Sequence, residues 1–242
     1  MKTYLWIVVM TVLGFFFLKP VVGQGINVPE VKNGYFTEKF GNLSIEGNYV
    51  DGSKEGNWIT YFPSGYLNKV EEYHHGKKNG LVLELDGKGA LINEARYKDD
   101  MLDGVSKGYV RSGKFEYVKH YKDNKLHGSV VLYYEGGVVQ EEAWYKNGHR
   151  DSITTWYDSQ GKKVASNGYI DGKFNGPSIT YYPDGSVKTS KTYILDVLDG
   201  QYQEYDEKGT LRVSGNYVKG VKKGDWITYD ESANVITKEK IK

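Results

Sequence analysis

The sequence predicts an all-β fold, an elongated, twisted antiparallel sheet of tandem 24-residue β-hairpin repeats, and three observations carry that reading. Tyr49, Tyr73, Tyr97, Tyr121, Tyr145, Tyr169, Tyr193 and Tyr217 recur at steps of 24 residues, and Ile241 holds the ninth place. Residue types that favour turns return at fixed distances from each Tyr. The runs between them alternate with period two, the strand period. The register passes from Tyr49 to Ile241 without an insertion or deletion. Self-similarity at a fixed period marks a repeat architecture.

Positions are counted here as residues after the opening Tyr. Position 3 holds Gly52, Gly76, Asp100, Asn124, Gly148, Gly172, Asp196 and Gly220, all types that tolerate a left-handed backbone, so it reads as a tight turn. Position 7 is Gly in every copy except the fifth, which has Ser152; position 16 is Gly except for Ala233 in the last. Two turn regions per copy leave two runs of about six residues, the usual strand length. In the first run, position 12 is Tyr in all copies but one, and position 10 is mostly aliphatic, as at Ile59, Leu83, Val131, Ile179 and Ile227. The second run puts Leu67, Leu91, Phe115, Val139, Val187, Leu211 and Val235 at position 18. The next Tyr lies six residues on, so alternation places it on the same side. The expectation is one apolar, tyrosine-lined face and one wet face. Tyrosines of successive copies are expected to stack as ladders, at about 0.5–1 kcal/mol per pair. A Tyr ring can be covered while its hydroxyl reaches water, which accounts for 22 Tyr against 8 Phe.

Residues 1–23 read as a secretory signal peptide: Lys2, an apolar run from Leu5 to Leu18, and small residues before a cleavage point after Gly23. The apolar run is short for a spanning helix, which needs about 20 residues. Export to a periplasm, cell surface or extracellular space is therefore expected, with no transmembrane span after cleavage. Loss of Lys2 and Lys19 leaves 30 basic against 31 acidic side chains, a net charge of −1. Such balance argues against a nucleic-acid partner. The chain has no Cys, hence no disulfide. Residues 24–48 read as a degenerate hairpin, with a strand over Val31–Phe36, that caps an open edge. Residues 49–242 carry eight copies. Lys238, Lys240 and Lys242 near the end are of the kind that protects a terminal strand from edge pairing.

The string Tyr-x-x-Gly-x-x-x-Gly-x-(Trp)-x-x-Tyr-x-x-x-Gly-x-(Leu) resembles the MORN repeat in its bacterial variant form, and Tyr49–Leu67 and Tyr217–Val235, with Trp58 and Trp226, match best. The common MORN unit is one residue shorter. The resemblance implies a train of antiparallel hairpins forming a long, twisted sheet, and a likeness to bacterial proteins that are antitoxin-like or attached to enzymes as targeting modules. It assigns no catalytic residue.

The residues themselves offer no Cys nucleophile, phosphate-binding Gly loop before a helix, or His-Glu-x-x-His helix. His127 and His149, with Asp123 or Asp151, come nearest to a metal set and read as solvated turn residues. Asp86, Asp158, Asp206 and Asp230 share position 13, where a periodic acid reads as turn chemistry. No catalytic residue, metal or cofactor is expected. Repeat proteins bind through their variable positions, and the largest unassigned aromatic cluster is Trp144, Trp156 and Tyr134, in the fourth and fifth copies. Both Trp are placed on the polar face, and the fifth copy, with Ser152, Thr154, Thr155 and Lys163, has a weak apolar column. The expected function is that of an exported scaffold holding a protein partner, with an antitoxin- or immunity-like binder or a glycan-binding module as alternatives. Exposure of both indoles on one face would favour the glycan.

Overall fold

A computed structural model describes residues 31–242 of the protein. Residues 1–23, read above as a signal peptide, and residues 24–30 of the expected cap lie outside the described residues. The strands are β1 (Gly34–Phe40), β2 (Leu43–Val50), β3 (Ser53–Tyr61), β4 (Leu67–His74), β5 (Lys77–Leu85), β6 (Leu91–Lys98), β7 (Met101–Tyr109), β8 (Phe115–Lys122) and β9 (Lys125–Tyr133). They continue as β10 (Val139–Lys146), β11 (His149–Tyr157), β12 (Lys163–Ile170), β13 (Lys173–Tyr181), β14 (Val187–Ile194), β15 (Val197–Tyr205), β16 (Leu211–Val218), β17 (Val221–Tyr229) and β18 (Val235–Ile241). Each pairs antiparallel with the next in one 18-stranded sheet that does not close. No helix occurs among the described residues.

The strands run to seven to nine residues rather than six. One turn is only two residues long, so the strands reach right up to it. Asp51 and Gly52 (φ 48° and 76°), His75 and Gly76 (50° and 79°), and Asp123 and Asn124 (49° and 63°) have the paired positive φ of a type I′ hairpin turn. The position 3 N–H donates back to the preceding copy, as from Gly76 to the Lys54 carbonyl at 2.9 Å. Where position 3 is Asp100, Asn124 or Asp196, its side chain also accepts the N–H of Lys78, Leu102 or Phe174. The other loop is closed by two main-chain bonds, such as Phe62 N–H to Tyr66 carbonyl and Gly65 N–H to Phe62 carbonyl. Position 13 Asp serves this loop, as expected: Asp86 accepts the N–H groups of Lys88 and Ala90, and Asp158, Asp206 and Asp230 repeat the pattern.

Position 7 is not a turn. Its Gly lies inside a strand with positive φ, where three residues, Gly56 to Trp58, span the single Gly47 of β2. A second bulge overturns the expected sidedness. Tyr61 pairs with Leu67 and Thr60 with Lys69, which leaves Asn68 over, and every later copy repeats the shift. Alternation carried from position 18 to the next Tyr therefore crosses an extra residue. Position 18 lies with position 12: the Phe115 ring sits between Tyr109 and Tyr133, with centroids at 5.3 and 5.8 Å. The opening Tyr lies with position 9 instead, as Tyr49 on Trp58 at 4.9 Å shows.

The buried set follows from this. Trp58, Val82, Ser106, Val130, Thr154, Ser178 and Trp226 at position 9 are buried, with Thr60, Glu141, Ala95, Ala143 and Tyr169 from positions 11, 20, 22 and the opening Tyr. Positions 10 and 12, expected to form the core, are half-buried on the other face. The tyrosines do not stack directly either. Antiparallel pairing sets like positions two strands apart, and position 5 fills the gap: Phe174 lies between Tyr169 and Tyr193 at 4.8 and 5.2 Å. Lys54, Lys78 and Lys222 occupy the same position as cations over Trp58, Tyr97 and Trp226. The position 12 tyrosines instead send hydroxyls to position 21, Tyr61 to Glu46 at 2.7 Å and Tyr157 to Glu142 at 2.7 Å.

These phenols give the protein an alkaline limit. Burial, and next the hydrogen bond to Glu94 or Glu142, pushes Tyr109 and Tyr157 up to about 12; burial likewise raises Tyr73 and Tyr202 to about 12. A proton held more tightly in the folded than the unfolded chain stabilises fully below pH about 10, the unfolded value. That contribution is lost as pH rises through about 12. The melting temperature should fall steadily over this interval while part of the tyrosinate absorbance appears late. A single titration step near pH 10 would contradict it.

Candidate partner-binding site

The three aromatic residues singled out in the sequence are separated by the sheet. From Glu141 to Tyr145, β10 pairs regularly with β9, so successive side chains alternate. Glu141 and Ala143 are buried on the position 9 side, and Trp144 therefore points to the other face. Trp156 pairs with Glu141, and its Nε1 donates to Glu141 Oε2 at 2.9 Å. The two indoles thus lie on opposite faces, not together on one.

Trp156 is tied into a polar network. Arg150 Nη2 meets Glu141 Oε1 at 2.7 Å, and Arg150 Nη1 donates to Thr154 Oγ1 at 3.1 Å. The guanidinium also lies 5.4 Å from the Tyr145 and Trp156 rings and 5.9 Å from that of Tyr169. Burial raises the Tyr145 phenol above its ordinary value. Thr154, the position 9 residue of this copy, is fully buried. The fifth copy is therefore not loosened, as its sequence suggested, but held by a charged and aromatic cluster. Tyr134 is committed as well: its hydroxyl donates to the Tyr157 carbonyl at 2.8 Å, and Tyr182 makes the same tie to Tyr205.

Trp144 remains. It is 50% exposed, whereas Trp58 and Trp226 are 1% and 8% exposed. Position 23 side chains lie across the position 7 glycines, as Arg96 does on Gly104 and His120 on Gly128, where a Cβ would come within 3.2 Å. Trp144 is a position 23 residue that pairs with Asp151, next to Ser152, the one position 7 residue that carries a Cβ, at φ +64°. Beside it runs an open depression of ≈ 370 Å³, lined by Val131, Glu142, Ile153 and Thr155. Ile153 is also exposed.

Sequence reasoning missed Arg150 and Glu141. The signal was in the position 5 column, where Arg150 joins Lys54, Lys78 and Lys222 as a cation over aromatic rings, here those of Tyr145 and Tyr169. Among the described residues, no helix is long and apolar enough to cross a membrane.

A family model described as MORN repeat variant matches residues 126–147 and 198–219. Each match covers one hairpin, β9–β10 and β15–β16. No curated protein matches the chain. MORN repeats are generally found in non-catalytic scaffold and binding proteins and often mediate protein binding. Those two hairpins are thus similar to the MORN repeat variant, and the other copies keep the same 24-residue register.

Proposed function

We propose that the protein is an exported, non-catalytic scaffold that holds a protein partner on the face carrying Trp144. The supporting observation is the contrast among its tryptophans: Trp58 and Trp226 are buried in the sheet, while Trp144 stands half in solvent beside an open depression. Trp is enriched in binding hot spots, where truncation costs about 2 kcal/mol or more. An antitoxin- or immunity-like binder is one finer form of this reading. Glycan stacking has less support, since Trp144 and Trp156 on opposite faces offer no common platform. Export rests on residues 1–23 of the sequence.

The test is affinity capture from the native envelope with the wild type and with Trp144→Ser, with glycan binding assayed on the same samples. The wild type should retain a protein that Trp144→Ser loses, and the two should melt alike because the ring is not buried. Capture unchanged by Trp144→Ser, or a variant that is strongly destabilised, would contradict the proposal.

A further inference from the structure

At the I′ turn between β4 and β5, the chain brings together two imidazoles and a carboxylate. His74 ends β4, His75 begins the I′ turn with φ +50°, and Glu55 lies across from them on β3. One ligand atom from each of the three lies within 4.8 Å of the other two. This is the grouping of that kind among the described residues, and His127 and His149 form none with Asp123 or Asp151.

Part of the arrangement is common to the repeats. Position 6 accepts the N–H of position 2 in the next copy: Glu55 from His75, His127 from Asn147, Asn175 from Leu195 and Asp199 from Lys219. That bond occupies one oxygen of Glu55, Oε2, at 2.8 Å and fixes the carboxylate. The other oxygen, Oε1, lies 2.8 Å from Nδ1 of His74. The two imidazoles are stacked at a slant, with centroids 4.0 Å apart. A turn needs no His at either position; other copies place Asp, Asn, Leu or Lys at position 2.

We propose that Glu55, His74 and His75 form a binding site for a divalent transition-metal ion of the zinc type. Two neutral imidazoles and one carboxylate are a ligand set that Zn²⁺ accepts, with bonds of about 2.0–2.2 Å. Tetrahedral ligands at that length stand about 3.4 Å apart, so the pair at 2.8 Å and the triplet within 4.8 Å are brought to a common ion by small rotations of exposed rings. The ion would take the place of the proton now shared between His74 and Glu55. Three ligands on an exposed turn leave further coordination sites to water. Hard ions such as Mg²⁺ prefer all-oxygen sets and should be refused.

The test is calorimetric titration of the purified protein with zinc chloride, and with magnesium chloride as control. The expected result is one zinc per chain, bound at least about tenfold more weakly by His75→Asn and by Glu55→Gln, with no magnesium binding. Asn tolerates the left-handed turn, and Gln keeps an acceptor for the His75 N–H, so both variants should melt as the wild type does without zinc. Zinc should raise the melting temperature of the wild type and not of the variants. Absence of zinc binding, or binding left intact by both substitutions, would overturn the site.

Discussion

Replacing Trp58 by Ala is expected to destabilise the protein by about 3–5 kcal/mol, as truncation of a buried aromatic does. The ring is 1% exposed, packs edge-on against Tyr49 at 4.9 Å and Tyr73 at 6.4 Å, and carries Lys54 over its face at 4.1 Å. Its Nε1 donates to the Asn48 carbonyl at 3.1 Å. The ring fits because Gly47 has no side chain: a Cβ there would come within 2.5 Å of the indole. Gly215 stands in the same relation to Trp226, at 2.3 Å. Size at position 9 is thus matched to size at position 22 of the strand before. Gly47→Ala should cost about 2–3 kcal/mol in the wild type, through overpacking, and almost nothing once Trp58 is Val. Urea unfolding of the four proteins in the cycle measures the coupling, and additive losses would show that the two positions do not share the space.

The second large effect is expected at Glu141. Its carboxylate is buried and accepts from both Arg150 and the Trp156 indole. Glu141→Ala leaves the guanidinium without its counter-ion and the indole N–H without its acceptor. Breaking a buried pair by removing one partner costs about 3–5 kcal/mol. The Arg150 side chain is partly exposed, so the lower end, about 3 kcal/mol, is expected. Trp156→Phe removes a donor and leaves Glu141 its Arg150 contact, and should cost nearer 1 kcal/mol. Equal losses in the two variants would mean that the ion pair does not hold the fifth copy.

The fold was legible because its turns are written in residue types. A left-handed backbone selects Gly, Asn or Asp, so the I′ turn and the four-residue loop appear as columns at positions 3 and 16. The bulge at position 19 left no such mark. Asn68, Ile92, Glu116, Gln140, Val164, Lys188, Arg212 and Ile236 share no chemistry, because the extra residue there needs no special φ. Missing it reversed the side assigned to the opening Tyr and moved the core from positions 10 and 12 to positions 9 and 22. Gly168 was equally invisible: it reads as a variable residue, yet a Cβ there would lie 2.3 Å from the Asn175 carbonyl oxygen.

The candidate site was legible as composition and not as geometry. Trp144, Trp156 and Tyr134 stand out as aromatics without a repeat role, but only the register of β10 against β9 and β11 shows which face each takes. The Arg150–Glu141 pair joins residues nine apart in sequence across a bulged hairpin, a spacing that no strand period predicts.

The central claim is that each hairpin is held by its neighbours in an open sheet, with no pairing of β1 with β18 among the described residues. Native-state amide hydrogen exchange tests it most directly. Stability in such a stack is a sum over units and their interfaces, so opening should begin at the ends. Protection should be greatest in the middle strands, around β9 and β10, and fall in steps towards β1 and β18. A single exchange free energy shared by every strand, edges included, would contradict the account.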